Sequence, residues 1–212
     1  MTSLLSLAEQ ADAADLSVFL QRAARLGCEH VRLVSSGRAL VATVAVLTKQ
    51  GLLDTDPTVL GIRVFQLAEA AHSVDTLVLI AGVQERLARE VHEFPLPVGQ
   101  AGISWAGVTP PASNWTELGE VDATQLVAVA EAGIAEVAAA NGLGIKIVDQ
   151  VRRDTWGRAM FSAGNQAQVV VPAGAAFAAF GLGFIPEGEQ LSLSSSGPWS
   201  RLTSSRGHVL SR

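Results

Sequence analysis

The sequence carries a single cysteine, Cys28, in 212 residues. An internal disulfide is excluded, so the fold must be held by its core, as is usual in a reducing compartment. Charge is scarce as well, at 17% charged residues against 49% hydrophobic ones. That balance excludes extended disorder and implies apolar surface hidden in an assembly, most simply a homodimer. Long hydrophobic runs are missing: nothing approaches the roughly 20 apolar residues of a membrane span. The most apolar stretch, Leu40 to Leu47, has the length of a strand, so no membrane partner is expected. Residues 1–15 hold Glu9, Asp12 and Asp15 but no Lys or Arg, which does not fit a secretory leader. The expected location is the cytoplasm.

Catalytic and metal-binding signatures are absent too. Gly102-Ile103-Ser104-Trp105-Ala106 has the outline of a nucleophile elbow, but proline-rich chain flanks it where a strand and a helix are required. Gly142-Leu143-Gly144 follows a helical pattern instead of linking strand to helix, and Gly181-Leu182-Gly183 shares the defect, so neither suits a pyrophosphate. Cys28 and His30 lack further ligands at metal-binding spacing, while His72, His92 and His208 stand apart. No cofactor and no metal are expected.

The net charge of −5 is unevenly spread: residues 1–145 hold 8 Lys/Arg against 16 Asp/Glu, and residues 146–212 hold 7 against 4. An acidic body argues against nucleic acid as a partner, because that affinity comes from neutralising phosphates. A local basic face at the C-terminal end is the remaining place for it.

What the sequence does contain is a mixture of helical and strand patterns. Leu16, Phe19, Leu20 and Ala23 form one stripe of a helix over 13–26, with Asp12 or Asp15 at its start and Gly27 at its end. The runs 30–35 and 38–47 flank Ser36-Gly37 and predict a hairpin, the second strand being apolar on both parities and hence central. Strands over 59–68 and 75–80 and a short helix over 83–91 follow. Residues 94–115, rich in Pro, Gly and Trp, break every period and read as a long loop. A helix over 122–140 has Leu126, Val129, Ala130, Gly133, Ile134 and Val137 on one face. Then come a more polar helix over 148–159, a strand over 168–171, an alanine-rich buried helix over 173–182 entered through Pro172, and strands over 190–194, 199–203 and 207–210.

The predicted fold is α+β, a mostly antiparallel sheet with helices packed on it; a doubly wound parallel sheet is the alternative. The organisation expected is an N-terminal half over 1–93, a Pro/Trp-rich loop or linker over 94–121, and a C-terminal half over 122–212, packed as one unit. Val31 to Gly37 parallels Leu191 to Gly197, and residues 76–90 parallel 168–182. Either these short matches are chance or the protein has two related halves whose sheets continue one another.

Two groups of residues stand out as candidate sites. Trp105, Pro110, Pro111 and Trp115 combine large contact area with a rigid backbone and suit a protein partner; pinning the loop to the core is the plainer reading. Arg152, Arg153 and Arg158 beside Trp156 suit a phosphate or a stacked base, and the plainer reading is a solvated helix face with Trp156 turned inward.

Phe19-Leu20-Gln21-Arg22-Ala23-Ala24-Arg25-Leu26, Val31-Arg32-Leu33, Trp105-Ala106-Gly107 with Pro110-Pro111 and Trp115, Trp156, and Trp199-Ser200-Arg201-Leu202 together resemble an uncharacterised family of actinobacterial proteins. The resemblance covers most of the chain. Its residues are of packing type, so it implies a shared fold and neither activity nor ligand. For function, a non-enzymatic interaction or scaffold protein leads, because enzymes usually leave a concentrated acid, base or nucleophile motif. A small-molecule enzyme with a dispersed site and a nucleic-acid accessory protein with a C-terminal basic face are the alternatives.

Overall fold

The computed structural model describes residues 4–49, 54–70, 73–89, 92–99, 102–107, 109–163 and 169–212. The chain divides into two compact units, one formed by Met1–Val46 and Ile62–Val108, the other by Leu47–Gly61 and Thr109–Arg212.

In the first unit the elements run β1 (Leu4–Ser6), α1 (Gln10–Arg25), β2 (His30–Ser36), β3 (Ala39–Leu47), β4 (Val59–Gln66), β5 (Asp75–Leu79), α2 (Ile80–Arg89) and β6 (Glu93–Pro95), with Leu47 and the first residues of β4 counted in the other unit. Helix α1 buries the predicted stripe, Leu16, Phe19, Leu20 and Ala23. It begins three residues earlier than the pattern suggested, and Asp15 is drawn away to Arg63 at 2.6 Å. Its end is as expected: Gly27 takes φ 87° and Cys28 N–H reaches back to the Ala23 carbonyl at 3.0 Å, a Schellman closure that only glycine enters without strain. Strands β2 and β3 form the predicted hairpin around Gly37, at φ 58°. In β3 only one parity, Leu40, Ala42 and Val44, is fully buried; the other is half covered. The strand order is β5-β2-β3-β4. Helix α2 starts at Ile80, earlier than predicted, and the end of the predicted helix at 90–91 lies outside the described residues.

The second unit runs β7 (Thr116–Asp122), α3 (Ala123–Ala139), α4 (Ile145–Gly157), β8 (Ala159–Ala163), β9 (Val169–Pro172), α5 (Ala173–Leu182), β10 (Gln190–Ser196), β11 (Trp199–Ser204) and β12 (Gly207–Ser211). Asp122 caps α3 by accepting the Thr124 N–H at 2.7 Å. Ala123, Leu126, Ala130 and Gly133 are the buried positions of α3, whereas Ile134, placed on that face by the sequence pattern, is 39% exposed. Three helices meet at Trp156 of α4: its ring stacks on Phe177 of α5 at 4.2 Å between centroids, and Gly133 of α3 lies against it. The sheet order is β7-β10-β11-β12.

The α+β class is observed, with antiparallel strands and two related halves. Each unit repeats one order, an outer strand followed by a hairpin and a third strand, and the hairpin turns are alike: Gly37 and Gly197 have φ 58° and 56°. The Val31–Gly37 and Leu191–Gly197 matches therefore occupy equivalent places. The second sequence match does not: β5 lies beside β2, but β9 pairs with β8 outside this sheet, and the position matching β5 belongs to β7. Gln168, the first residue of that match, lies outside the described residues.

Strand β7 escaped the sequence reading because Thr-Glu-Leu-Gly-Glu-Val-Asp has low strand propensity. It forms through pairing with β10, and the register shift opposite Leu193 and Ser194 is accommodated by Gly119 at φ 131°. Among the described residues no helix is long and apolar enough to cross a membrane.

Candidate interaction site

The turn that carries Trp105 and the ring of Trp115 are each held by an arginine of their own unit. Trp105 belongs to a short 3-10 turn, Ser104–Gly107, and is half-buried. Among the described residues this turn is neither preceded by a strand nor followed by a helix, so the elbow geometry is missing. The Ala106 carbonyl of the turn accepts from Arg32 Nη1 at 3.0 Å. Arg32 also grips Asp75 through two 2.8 Å hydrogen bonds, and this pairing holds the Asp75 carboxyl below the usual carboxylate range.

In the second unit Pro110, Pro111 and Trp115 are all half-buried. The Trp115 indole N–H donates to the Pro111 carbonyl at 3.1 Å. Asn114 just before it takes φ 62°, a left-handed conformation that costs a side-chain residue energy and fixes the turn into β7. The Arg201 guanidinium lies over the Trp115 ring at 4.3 Å from the centroid, and its Nε donates to Ser194 Oγ at 3.2 Å. Arg201 is on β11, two residues from Thr203, which pairs with His208 of β12. Thr203 Oγ1 and His208 Nδ1 are 3.0 Å apart. Burial, reinforced by the charge of Arg201, pushes the imidazole of His208 below its ordinary pKa.

That depression has a measurable consequence. The unfolded chain protonates His208 near the usual value of about 6.5, while the folded chain resists until lower pH. Stability contributed by the neutral, buried ring is complete above that value and declines as pH falls below it. The stability gap between wild type and His208→Gln should therefore narrow between pH 7.5 and about 5.5, read from urea midpoints. A gap independent of pH would rule the linkage out.

The basic residues of α4 are less available than their number suggests. Arg158 pairs with both carboxylate oxygens of Glu136 at 3.0 and 3.2 Å, and Arg153 faces Asp56 at 3.9 Å and Gln150 at 2.8 Å. Arg152 is exposed. Trp156 is turned inward, 2% exposed, and so presents no stacking surface. Cys28 is buried, its thiol donates to the Ala45 carbonyl at 3.2 Å, and burial pushes its pKa up to about 12, where it is neither nucleophile nor ligand. Among the described residues no group of three His, Cys, Asp or Glu side chains converges to hold a metal.

The sequence reading missed Arg201, Ser194, Thr203 and His208. The available signal was alternation: in Trp199 to Thr203, Ser200 and Leu202 face the core, which puts Arg201 and Thr203 together on the opposite side.

The fold defines a class. The chain aligns over 100% of its length with the DNA polymerase III beta subunit of Caulobacter crescentus, at TM-score 0.52 and 12% identity, covering 65% of that subunit. It aligns over 99% with the beta subunit of Thermotoga maritima DNA polymerase III, at TM-score 0.51 and 10% identity, covering 64% of it. A second C. crescentus structure, described as the beta sliding clamp, aligns at 0.48 with 12% identity, over 100% of this chain and 65% of that one. At identity this low the likeness shows a shared fold and nothing more. The chain thus spans slightly under two thirds of the subunits it matches. It belongs to the family of the domain of unknown function DUF8010, which matches residues 1–107, and residues 110–212 match a second domain of unknown function, DUF8185. No curated protein matches it in sequence.

These likenesses correct the functional expectation. An unspecified non-enzymatic interaction or scaffold protein, with nucleic acid set aside, does not fit a chain whose entire length shares its fold with subunits of a DNA polymerase. Net charge reports on electrostatic attraction to phosphates and is silent on fold, so acidity alone did not justify reading nucleic acid as an unlikely partner.

Proposed function

We propose that the chain forms part of a DNA clamp, which closes around duplex DNA together with further copies of itself. The observation that carries this reading is the alignment of the whole chain with DNA polymerase III beta subunits at TM-scores of 0.52 and 0.51. The duplicated strand order supports the same reading, since β5 and β7 each end their unit's order and offer an edge to another chain. Scarce surface charge accords with apolar surface covered on assembly. A cytoplasmic setting, where DNA is accessible, is part of the proposal.

Electrostatics dictates how such a clamp holds on. The net charge is −5, α3 and α5 carry no Lys or Arg, and Arg153 and Arg158 of α4 are matched by carboxylates. Attraction to phosphates is weak, so retention must come from enclosure. Light scattering at micromolar concentration is expected to give a multiple of 22.1 kDa. Protein assembled on a circular plasmid should survive a high-salt wash and be released by a single cut in the DNA. A monomer, or binding that salt removes equally from circular and linear DNA, refutes the clamp.

A further inference from the structure

A half-buried arginine gives up hydration of a full charge, a loss that an acidic neighbour commonly offsets. Arg32 has Asp75 at 2.8 Å, Arg63 has Asp15 at 2.6 Å, and Arg153 has Asp56 at 3.9 Å. Arg201 is also half-buried, yet among the described residues no carboxylate lies within ion-pair distance of it. One face of its guanidinium is covered by the Trp115 ring and its Nε is used by Ser194. The two terminal nitrogens have no partner among the described residues.

The surroundings are built from the strand register. Ser194 lies opposite Arg201 on β10, Leu210 opposite it on β12, and Thr203 with His208 one pleat along. The result is a single cation walled by an indole, bordered by hydroxyls and a buried leucine. A neighbouring basic group, the His208 imidazole, is kept neutral at physiological pH by burial and by Arg201 itself.

We propose that Arg201, with Trp115 as its wall, is a recognition site for a carboxylate presented by a protein partner beside an apolar group. A planar guanidinium with one face on an indole leaves its edge free for the two parallel hydrogen bonds that a carboxylate accepts. One positive charge matches one negative charge, and the indole supplies contact area to the adjoining apolar group. A nucleic-acid phosphate is the rival claimant and fits worse. Glu117 stands opposite Ser194 on β7, about 10 Å from Arg201 by strand spacing, and Glu120 and Asp122 continue along the same strand, so a phosphate chain would meet repulsion. The site extends the sequence-based assignment of Trp115 to a partner surface and does not depend on the clamp reading.

The test uses the full chain labelled with 15N, following the Arg201 Nε–H and Trp115 indole N–H resonances. The probes are N-acetylphenylalanine, its amide, and inorganic phosphate. Both resonances should shift saturably with the carboxylate at millimolar concentration, with affinity about tenfold or more above the amide, as a charge-assisted pair implies. Arg201→Met, its fold checked by its own spectrum, should abolish the shift, and Arg201→Lys should weaken it. Resonances unmoved by the carboxylate, equal response to the amide, or tighter saturation by phosphate overturns the assignment. Should Arg201→Met fail to fold, the comparison of the three probes on the wild type decides alone.

Discussion

Truncating Trp156 to alanine is expected to cost about 3–5 kcal/mol, the range for removing a large buried aromatic. The side chain is 2% exposed, stacks on Phe177 and touches α3 through Gly133, so its loss leaves a cavity lined by three helices. Gly133 provides the sharper half of this prediction. In an exposed helix interior, glycine to alanine gains roughly 1 kcal/mol in propensity. Here the added methyl would overlap the Cζ3 and Cη2 atoms of the Trp156 ring, which Phe177 stacking prevents from swinging aside. Overpacking of this kind costs about 1–3 kcal/mol, so Gly133→Ala should destabilise by up to about 2 kcal/mol once the propensity gain is subtracted. In a Trp156→Ala background the clash is gone and the same substitution should become neutral or stabilising. Urea midpoints of the two single variants and the double variant read the coupling directly. A Gly133→Ala protein as stable as wild type would mean that the ring yields, and that glycine is not required there.

Much of the architecture was legible because it rests on periodicity and local signals. Leu16, Phe19, Leu20 and Ala23 recur at helical spacing, Gly27 marks a stop, and Ser36-Gly37 marks a turn; each is decided within a few residues. What failed was decided at long range. Strand β7 has a composition that disfavours a strand, and only its pairing with β10 makes it one. Arg201 meets Trp115 across 86 positions of chain, a juxtaposition no spacing rule anticipates. The Trp105 and Trp115 loop was visible as a candidate from its aromatic and proline content, but the arginines that hold it, Arg32 and Arg201, were not. The functional expectation failed for the same reason: composition measures charge and hydropathy, whereas the likeness to polymerase beta subunits lies in the fold, at 12% and 10% identity.

Phe19→Ala is expected to destabilise the first unit by about 3–5 kcal/mol. Phe19 is fully buried on α1, and its ring meets that of Phe65 on β4 at 6.3 Å with a 51° tilt, near the edge-to-face arrangement that aromatic pairs favour. Phe65 is itself covered by the Arg63 guanidinium at 5.6 Å, which Asp15 of α1 holds in place at 2.6 Å. Shortening Phe19 thus removes the largest side chain of the α1 stripe and one partner of a ring pair, and leaves a void that the rigid strand beneath cannot close. The ion pair above it adds little, since exposed pairs contribute about 0–1 kcal/mol. Val18, one residue away on the same helix and 40% exposed, is the control: Val18→Ala should change stability by less than about 0.5 kcal/mol, with better helix propensity offsetting the lost contacts. Both variants are compared by urea unfolding, where Phe19→Ala should lower the midpoint at unchanged slope. Equal small effects at the two positions would show that the stripe read from the sequence is not what holds α1 to the sheet.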